Sequence, residues 1–223
     1  IVGDGTFRGA IDLGEVWEGK VVGVPGTIDN DLVGTDFTLG FDTAVNTADQ
    51  AIDKVRDTAD AHERFFLIEV MGRHSGHIAL AVGFATGAEE ILIPEEPVNI
   101  RAICQRLCAG RRRGKTSSII VVAEGAVKGG AYRIADQLKK LSKNEYRVCI
   151  LGHIQRGGSP TAADRLLGTK LGGYAVDLFA RGQTGVMAGE AGGELAATPL
   201  RRAVQHTKKL DDYLLKLHSK LSL

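Results

Sequence analysis

Short apolar runs alternate with segments of helical period along most of the chain, and this alternation limits the fold more than any other feature. The apolar runs have strand length and are Val21–Val24, Phe65–Val70, Ile91–Pro94, Ile119–Ala123 and Val148–Leu151. The segments between them repeat apolar residues three or four positions apart, which predicts helices over Thr43–Thr58, Ile100–Arg113, Ala131–Leu141 and Asp164–Ala180. The pattern indicates an α/β fold with mostly parallel sheets flanked by helices.

The last fifth of the chain carries weaker signals. Arg201–Leu223 predicts one final helix, whose evenly spaced leucines form a stripe that would dock on the core or, alternatively, bind a partner. Residues 182–198 are rich in Gly and Ala and predict a loop, within which Gly185–Gly189 could form a short edge strand.

Charge and cysteine content exclude several classes of protein. Lys and Arg number 28 against 27 Asp and Glu, so no net field favours nucleic acid or an anionic membrane. No apolar run approaches the roughly 20 residues of a membrane span. The three cysteines, Cys104, Cys108 and Cys149, show no pairing pattern and no complete set of zinc ligands, which predicts reduced thiols and a cytoplasmic location.

The first residues read as a strand end that runs into a glycine loop. In Gly3-Asp4-Gly5-Thr6, the glycines would let the backbone approach a phosphate, and Asp4 could hold a hydrated Mg²⁺. An ordinary turn would explain the same residues. Because the chain opens mid-strand on Ile1 rather than Met, we expect its N-terminal part to be missing.

The loop Pro25-Gly26-Thr27-Ile28-Asp29-Asn30-Asp31 follows a predicted strand. Asp29 and Asp31 are two positions apart, so an extended backbone would point both carboxylates the same way. Such closeness is unfavourable unless the carboxylates serve a metal or a proton transfer. A turn rich in Asp and Asn is the alternative. We favour a functional loop.

Cations and glycines follow two other predicted strands. Met71-Gly72-Arg73 follows Phe65–Val70, and Gly152-His153-Ile154-Gln155-Arg156-Gly157-Gly158 follows Val148–Leu151. The guanidinium group of Arg can donate two parallel hydrogen bonds to phosphate oxygens, and small residues beside it leave room for the phosphate. Arg64 and Arg147 stand at the starts of the same strands, and Glu124 after Ile119–Ala123 suits a sugar hydroxyl.

Taken together, these motifs resemble the 6-phosphofructokinase family, ATP-dependent and of bacterial type, over about residues 1–190. The resemblance implies a glycolytic kinase that transfers the γ-phosphoryl group of ATP to the C1 hydroxyl of fructose 6-phosphate. It implies that Asp29 is the base, supported by Thr27 and Asp31. It implies that fructose 6-phosphate is held by Met71, Gly72, Arg73, Glu124, His153 and Arg156, and by Arg64 and Arg147 from a neighbouring subunit.

The same resemblance implies a nucleotide site and an oligomer. Gly3, Asp4, Gly5 and Thr6 would lie at the ATP phosphates, with Asp4 organising Mg²⁺. Val2 stands where the family usually has Gly. Gly87, Glu89, Arg113 and Lys115 match an effector site for a nucleotide between subunits of a homotetramer or dimer, although a basic helix end is the plain alternative for Arg113 and Lys115.

The domain division implied by the resemblance has two discontinuous parts. Residues 1–40 and 153–203 would form the remnant of a nucleotide-binding domain, and residues 41–152 and 204–223 a sugar-phosphate-binding domain. Because the first part of the nucleotide domain is expected to be missing, we expect these 223 residues alone to be inactive.

Four alternative functions remain open at this point. Pyrophosphate-dependent relatives typically carry Asp at position 5 and Lys at position 26, so Gly5 and Gly26, by leaving open space, favour ATP. A lipid or NAD kinase would explain only residues 3–6. A non-catalytic sugar-phosphate-binding protein would not need Asp29. A dehydrogenase would need glycine spacing that residues 3–9 lack.

Overall fold

The computed structural model describes residues 1–62, 64–115, 117–142, 144–205 and 207–221, without the side chains of residues 4, 60–62, 219 and 221. The chain forms two compact units, which we call unit 1 (Ile1–Thr43 and Ser159–Lys209) and unit 2 (Ala44–Gly158 and Leu210–Leu223).

In chain order the elements are α1 (Asp4–Leu13), β1 (Val22–Gly23), α2 (Phe41–His62), β2 (Phe65–Val70), α3 (His77–Ala85), β3 (Glu90–Leu92), α4 (Ile100–Arg112), β4 (Ser118–Ala123), α5 (Gly130–Ser142), β5 (Tyr146–Ile150), a 3-10 turn (Gly152–Arg156), α6 (Ala162–Ala180), β6 (Val186–Ala191), β7 (Glu194–Pro199), α7 (Leu200–Gln205) and α8 (Asp212–Leu221).

Unit 2 is built on a four-stranded parallel sheet with the strand order β3-β4-β2-β5. All six residues of β4 are buried, as expected for a continuous apolar run at the centre of a parallel sheet. Residues of α4 and α5 such as Ile103 and Ile134 pack with Leu67 and Ile120 of the sheet into one core cluster. The Asn99 side chain accepts a hydrogen bond from the Ala102 N–H (3.1 Å) and so caps the start of α4.

Unit 1 is built on a smaller sheet with the strand order β1-β6-β7. β1 pairs with β6 in parallel, and β6 and β7 form an antiparallel hairpin. A parallel bridge between Val2 and Val24 lies outside these strands. Phe7 of α1, Met187 of β6 and Leu200 of α7 are buried together in the core of this unit.

The observed architecture confirms the predicted α/β fold, including both ends of β2, corrects two local predictions and adds one helix that was not predicted. Residues 182–198 were predicted as a loop, but they contain most of a β6–β7 hairpin that turns at Gly192 and Gly193; β6 overlaps the short strand foreseen at Gly185–Gly189, although it lies between β1 and β7 and not at an edge. The predicted C-terminal helix is two helices, α7 and α8, and Thr207 between them bridges to Leu32. Helix α3 was not predicted because it is apolar all round and shows no amphipathic period.

Among the described helices, none combines the length and the apolar character that crossing a membrane requires.

Candidate active site

The loop Pro25–Asp31 follows β1 and is held along one side by Thr38 and Leu39. Gly26 and Leu39 form a parallel bridge, and the Leu39 N–H donates to the Pro25 carbonyl (2.7 Å). The Thr38 hydroxyl donates to the Thr27 carbonyl (2.6 Å). These contacts fix the backbone of the loop before it reaches its carboxylates.

Asp29 is 8% exposed, and its backbone N–H donates to the hydroxyl oxygen of Thr27 (3.2 Å). The expectation of an extended backbone between the two carboxylates is wrong, because Asn30 adopts a left-handed conformation with φ of 52°. Asn tolerates this conformation better than most residues do. The orientation of Asp29 therefore depends on how the turn at Asn30 is held.

Asn30 is a site residue that the sequence reasoning did not single out. Its side chain is 4% exposed, and its Oδ1 accepts hydrogen bonds from the Thr38 N–H (3.0 Å) and from Nζ of Lys208 (3.2 Å). An Asn between two carboxylates in a glycine-containing loop was a usable signal for a left-handed turn. The contact with Lys208 had no signal in the local sequence.

Asp164 anchors the start of α2 to the start of α6. Its carboxylate accepts hydrogen bonds from the N–H groups of Gly40 and Thr43 (2.8 Å each) and from the Thr43 hydroxyl. Thr161 caps α6 by accepting from the Asp164 N–H (3.2 Å). Residues 38 and 39, which contact the Pro25–Asp31 loop, are thereby tied through Gly40 to a long helix.

The segment Gly3–Thr6 is a helix start rather than the predicted glycine loop. Gly3 has φ of 93° and stands at the N-cap of α1, with no side chain capping the helix. The N–H groups of a first helical turn have no intrahelical acceptor, and they favour anions. The backbone at Gly5 and Thr6 thus suits a phosphate, whereas the side chain of Asp4 lies outside the described part of the chain.

Gly5 and Gly26, the two positions expected to leave open space for ATP, differ from each other. A Cβ at Gly5 would meet nothing within 4 Å. A Cβ at Gly26 would lie 2.0 Å from Cγ1 of Val2, so the expectation of open space at this position is wrong. The branched side chain at position 2, where the resemblance expects Gly, already fills that space.

In unit 2, the turn after β2 holds Met71, Gly72 and Arg73. The Met71 N–H donates to Oε1 of Gln155 (2.8 Å), and Nε2 of Gln155 donates to the Ala44 carbonyl (3.5 Å). Gln155 is 1% exposed and was not singled out among the predicted site residues, although it lies between His153 and Arg156. Its amide fixes the end of β2.

Glu124 joins the ends of β2 and β4. Its Oε1 accepts a hydrogen bond from the Arg73 N–H (2.7 Å), and Arg73 has φ of 52°. A Cβ at Gly125 would lie 1.9 Å from the Arg73 carbonyl oxygen, so only glycine permits this approach. The backbone of Arg73 is held while its side chain is exposed.

His153 and Arg156 are exposed in the 3-10 turn that follows β5. Because β2, β4 and β5 are parallel neighbours, their carboxyl ends meet at one edge of the sheet. The structure therefore brings Arg73, Glu124, His153 and Arg156 to one edge.

Arg64 and Arg147 lie at the opposite end of the same sheet. Arg64 precedes β2, and Arg147 pairs in register with Phe66 near the start of β5. Arg147 forms an exposed ion pair with Glu145 (3.5 Å). At a rise of about 3.3 Å per residue, the length of β2 puts roughly 20 Å between the two ends.

The predicted effector residues share one pocket of unit 2. Gly87, Glu89, Arg113 and Lys115 all line a pocket of about 260 Å³. Lys115 Nζ contacts Glu89 Oε1 (3.2 Å), and the other oxygen of Glu89 accepts from the Ile119 N–H (2.7 Å). At the same pocket, the Glu90 carboxylate binds Arg106 through two hydrogen bonds (2.6 and 2.7 Å) and raises the pKa of that guanidinium.

Comparison with known proteins identifies the family of this chain. The Phosphofructokinase family model matches residues 1–179. The chain is 58% identical to ATP-dependent 6-phosphofructokinase 1 of Thermus thermophilus over 223 residues, which is all of this chain and 69% of that protein.

Two solved structures are similar to nearly the whole chain. Phosphofructokinase from Saccharomyces cerevisiae matches with a TM-score of 0.84 and 31% identity over 99% of this chain and 34% of that chain. A pyrophosphate-dependent phosphofructokinase from Marinobacter aquaeolei matches with a TM-score of 0.77 and 25% identity over 94% of this chain and 59% of that one. Motifs, fold and relatives agree, and this chain belongs to the phosphofructokinase family.

Proposed function

We propose that this chain serves the transfer of the γ-phosphoryl group of ATP to the C1 hydroxyl of fructose 6-phosphate, which yields fructose 1,6-bisphosphate. The single observation that carries the proposal is the buried Asp29, which is held within a loop whose turn, backbone and neighbouring hydroxyl are all hydrogen-bonded. A carboxylate that accepts a proton from a sugar hydroxyl must be held in a defined orientation, because phosphoryl transfer depends mainly on positioning and charge stabilisation.

The residues of this chain divide the work by their chemistry. Asp29 accepts the proton of the C1 hydroxyl, and Thr27 and Asp31 support it. Arg73, Glu124, His153 and Arg156, with Met71 and Gly72, hold fructose 6-phosphate. The arginine forks suit the phosphate, and the Glu124 carboxylate suits a hydroxyl. The glycines and the turn at Arg73 bring the backbone close to the phosphate. The lack of side chains at the glycines leaves room for it.

The nucleotide phosphates bind at the start of α1. The N–H groups of Gly5 and Thr6 would donate to them, and Gly3 allows the backbone to approach. Asp4 would hold Mg²⁺, whose preferred ligands are oxygens and whose charge would offset that of the phosphates. Unit 1 would thus be the nucleotide-binding part and unit 2 the sugar-phosphate-binding part.

ATP is favoured over pyrophosphate as the donor. The relative at 58% identity is named as ATP-dependent, whereas the pyrophosphate-dependent structure is 25% identical. Gly5 keeps open space beside the helix start. At position 26, Val2 occupies the volume where the pyrophosphate-dependent enzymes carry Lys.

Arg64 and Arg147 act in the site of a neighbouring copy. They lie at the end of the sheet opposite to Arg73 and Glu124, so they do not complete the same sugar-phosphate site within one unit 2. The protein is therefore a homo-oligomer, a tetramer or dimer, with shared active sites. The pocket lined by Gly87, Glu89, Arg113 and Lys115 would take a phosphate-bearing effector, and the enzyme would act in the cytoplasm.

The test is a donor assay on the full-length protein that contains this chain. We expect fructose 1,6-bisphosphate to form from fructose 6-phosphate with ATP and Mg²⁺, and not with pyrophosphate in place of ATP. Turnover with pyrophosphate alone would overturn the choice of donor. Binding of fructose 6-phosphate without turnover from either donor would instead support the non-catalytic alternative.

A further inference from the structure

Lys208 lies on the segment after α7, far along the chain from the catalytic loop that it contacts. Its backbone N–H donates to the Asp31 carbonyl (3.0 Å), and its neighbour Thr207 forms an antiparallel bridge with Leu32. The segment therefore contacts the end of the loop through one β-bridge and one backbone hydrogen bond, and these contacts place Lys208 beside Asn30.

The side chain of Lys208 continues along the same loop. Its Nζ donates to Oδ1 of Asn30 (3.2 Å) and to the Asp36 carbonyl, and it lies 5.9 Å from the centre of the Phe37 ring. The carboxylates whose charges act on it are Asp31 and Asp36. The ammonium thus has specific partners on both sides of the turn.

Asn30 Oδ1 accepts hydrogen bonds from two donors, the Thr38 N–H and the Lys208 ammonium. A hydrogen bond from a charged donor is roughly twice as strong as a neutral one. Because Asn30 is flanked by Asp29 and Asp31, fixing its side chain fixes the direction in which the backbone presents both carboxylates.

We propose that Lys208 is a positioning residue for the phosphoryl transfer, which holds the turn at Asn30 so that Asp29 meets the acceptor hydroxyl in a productive orientation. The inference rests on the proposed function of Asp29. Lys208 acts through Asn30 and the Asp31 carbonyl.

A purely structural role for Lys208 predicts that its removal lowers stability and rate together. A positioning role predicts a lower rate without a loss of stability. Burial lowers the pKa of Lys208 from 10.5 to about 8, against the opposing effects of Asp36 and Asp31. At neutral pH the fold therefore carries the charge at a cost in stability. Removing the charge should leave stability unchanged or higher, and should still lower the rate.

The experiment uses the full-length protein with three variants, K208M, K208R and K209M. For K208M we expect kcat to fall about tenfold to hundredfold, because a misplacement of the order of 1 Å costs about this much. We expect KM for fructose 6-phosphate to stay within about threefold and the urea midpoint not to fall. K208R keeps a charged donor on the same segment and should recover part of kcat. K209M removes the neighbouring exposed charge and should match the wild type.

Amide hydrogen exchange at Thr38 gives a readout that does not depend on activity. Its N–H donates to Asn30 Oδ1, so exchange should speed up in K208M and not in K209M. A K208M enzyme with kcat within about threefold of wild type, unchanged exchange at Thr38, or a fall in kcat that follows a fall in the urea midpoint would each overturn the inference. A wild-type protein without turnover would show that the proposed function itself fails, whereas failure of the Lys208 inference alone appears only against an active wild type.

Discussion

Two turns of this protein place a non-glycine residue in the left-handed conformation, and no other such residue occurs in the part of the chain that the structure describes. Asn30 in unit 1 and Arg73 in unit 2 both have φ of 52°. The Asn30 side chain is buried and accepts two hydrogen bonds. The Arg73 side chain is exposed, and its turn is held instead through its backbone N–H by Glu124.

The difference shows that one backbone conformation serves two purposes. Asn visits the left-handed region at little cost, and here its side chain is used to hold its own loop. Arg has no such preference, so keeping it there stores strain of about 1–3 kcal/mol. The turn at Asn30 fixes the neighbouring Asp29, whereas the turn at Arg73 presents its own side chain.

The largest expected effect is a loss of the chemical step without a loss of substrate binding, on substitution of Asp29. Asp29→Ser should lower kcat by about 10²–10⁴-fold, because general bases contribute that much, and should leave KM for fructose 6-phosphate within about threefold. Steady-state kinetics of the full-length enzyme measure both. Asp57→Ser, which removes an exposed carboxylate from α2, is the control. Equal loss of rate and affinity would contradict the assignment of Asp29 as base.

The next effect concerns the stability of the turn at Asn30. Asn30→Ala should lower the free energy of unfolding by about 2–4 kcal/mol, because it leaves the buried Thr38 N–H without its acceptor and places Ala in the left-handed region. Asn30→Gly removes the same acceptor without the backbone strain, so it should be less damaging by about 1–2 kcal/mol. Urea unfolding measures both, and equal values would show that the backbone strain is absent.

At Arg73, two substitutions should lower the affinity for fructose 6-phosphate alike but differ in their effect on stability. Arg73→Ala and Arg73→Gly should both raise KM for fructose 6-phosphate about tenfold or more, since each loses a charged contact to the phosphate. Arg73→Gly should nevertheless be more stable than Arg73→Ala by about 1 kcal/mol, because only glycine adopts this φ without strain. An Ala variant as stable as the Gly variant would mean that the turn at Arg73 is unstrained.

The last effect, comparable in size with that at Arg73, is a pH dependence of stability that comes from Lys208 at the turn at Asn30. The pKa of Lys208 is about 8 in the folded protein and 10.5 ordinarily, so between these values the unfolded chain binds more protons. The free energy of unfolding should therefore rise as pH rises from about 8 to about 10.5, by about 1–2 kcal/mol after allowance for solvent screening. Subtracting the K208M profile isolates this contribution from other titrating groups. A difference that stays flat across this range would contradict it.

The parts of the fold that could be predicted are those with local signals. β2 and β4 consist mostly of Phe, Leu, Ile and Val, and their positions followed directly from that pattern. The strands of the β6–β7 hairpin mix small, apolar and charged residues without a continuous apolar run, and only the pair Gly192-Gly193 marks its turn.

The candidate site divides in the same way. The residues proposed to carry the chemistry stand in motifs, so Asp29 and Arg73 were visible in the sequence, as were Thr27 and Glu124, which contact their backbones. Lys208 and Gln155 were not singled out, because their contacts join distant parts of the chain. Lys208 lies 178 positions from Asn30, and Gln155 lies 84 positions from Met71. Only pairing of these segments in the folded chain brings such donors and acceptors together.

The contact between Val2 and Gly26 restricts substitution at position 26. Any residue larger than glycine at position 26 would place its Cβ 2.0 Å from the Val2 side chain. A substitution at position 26 therefore requires the Val2 side chain to move or to become smaller, whereas a Cβ at position 5 meets no protein atom within 4 Å. The two positions are therefore coupled, and the effect of a substitution at position 26 depends on which residue stands at position 2.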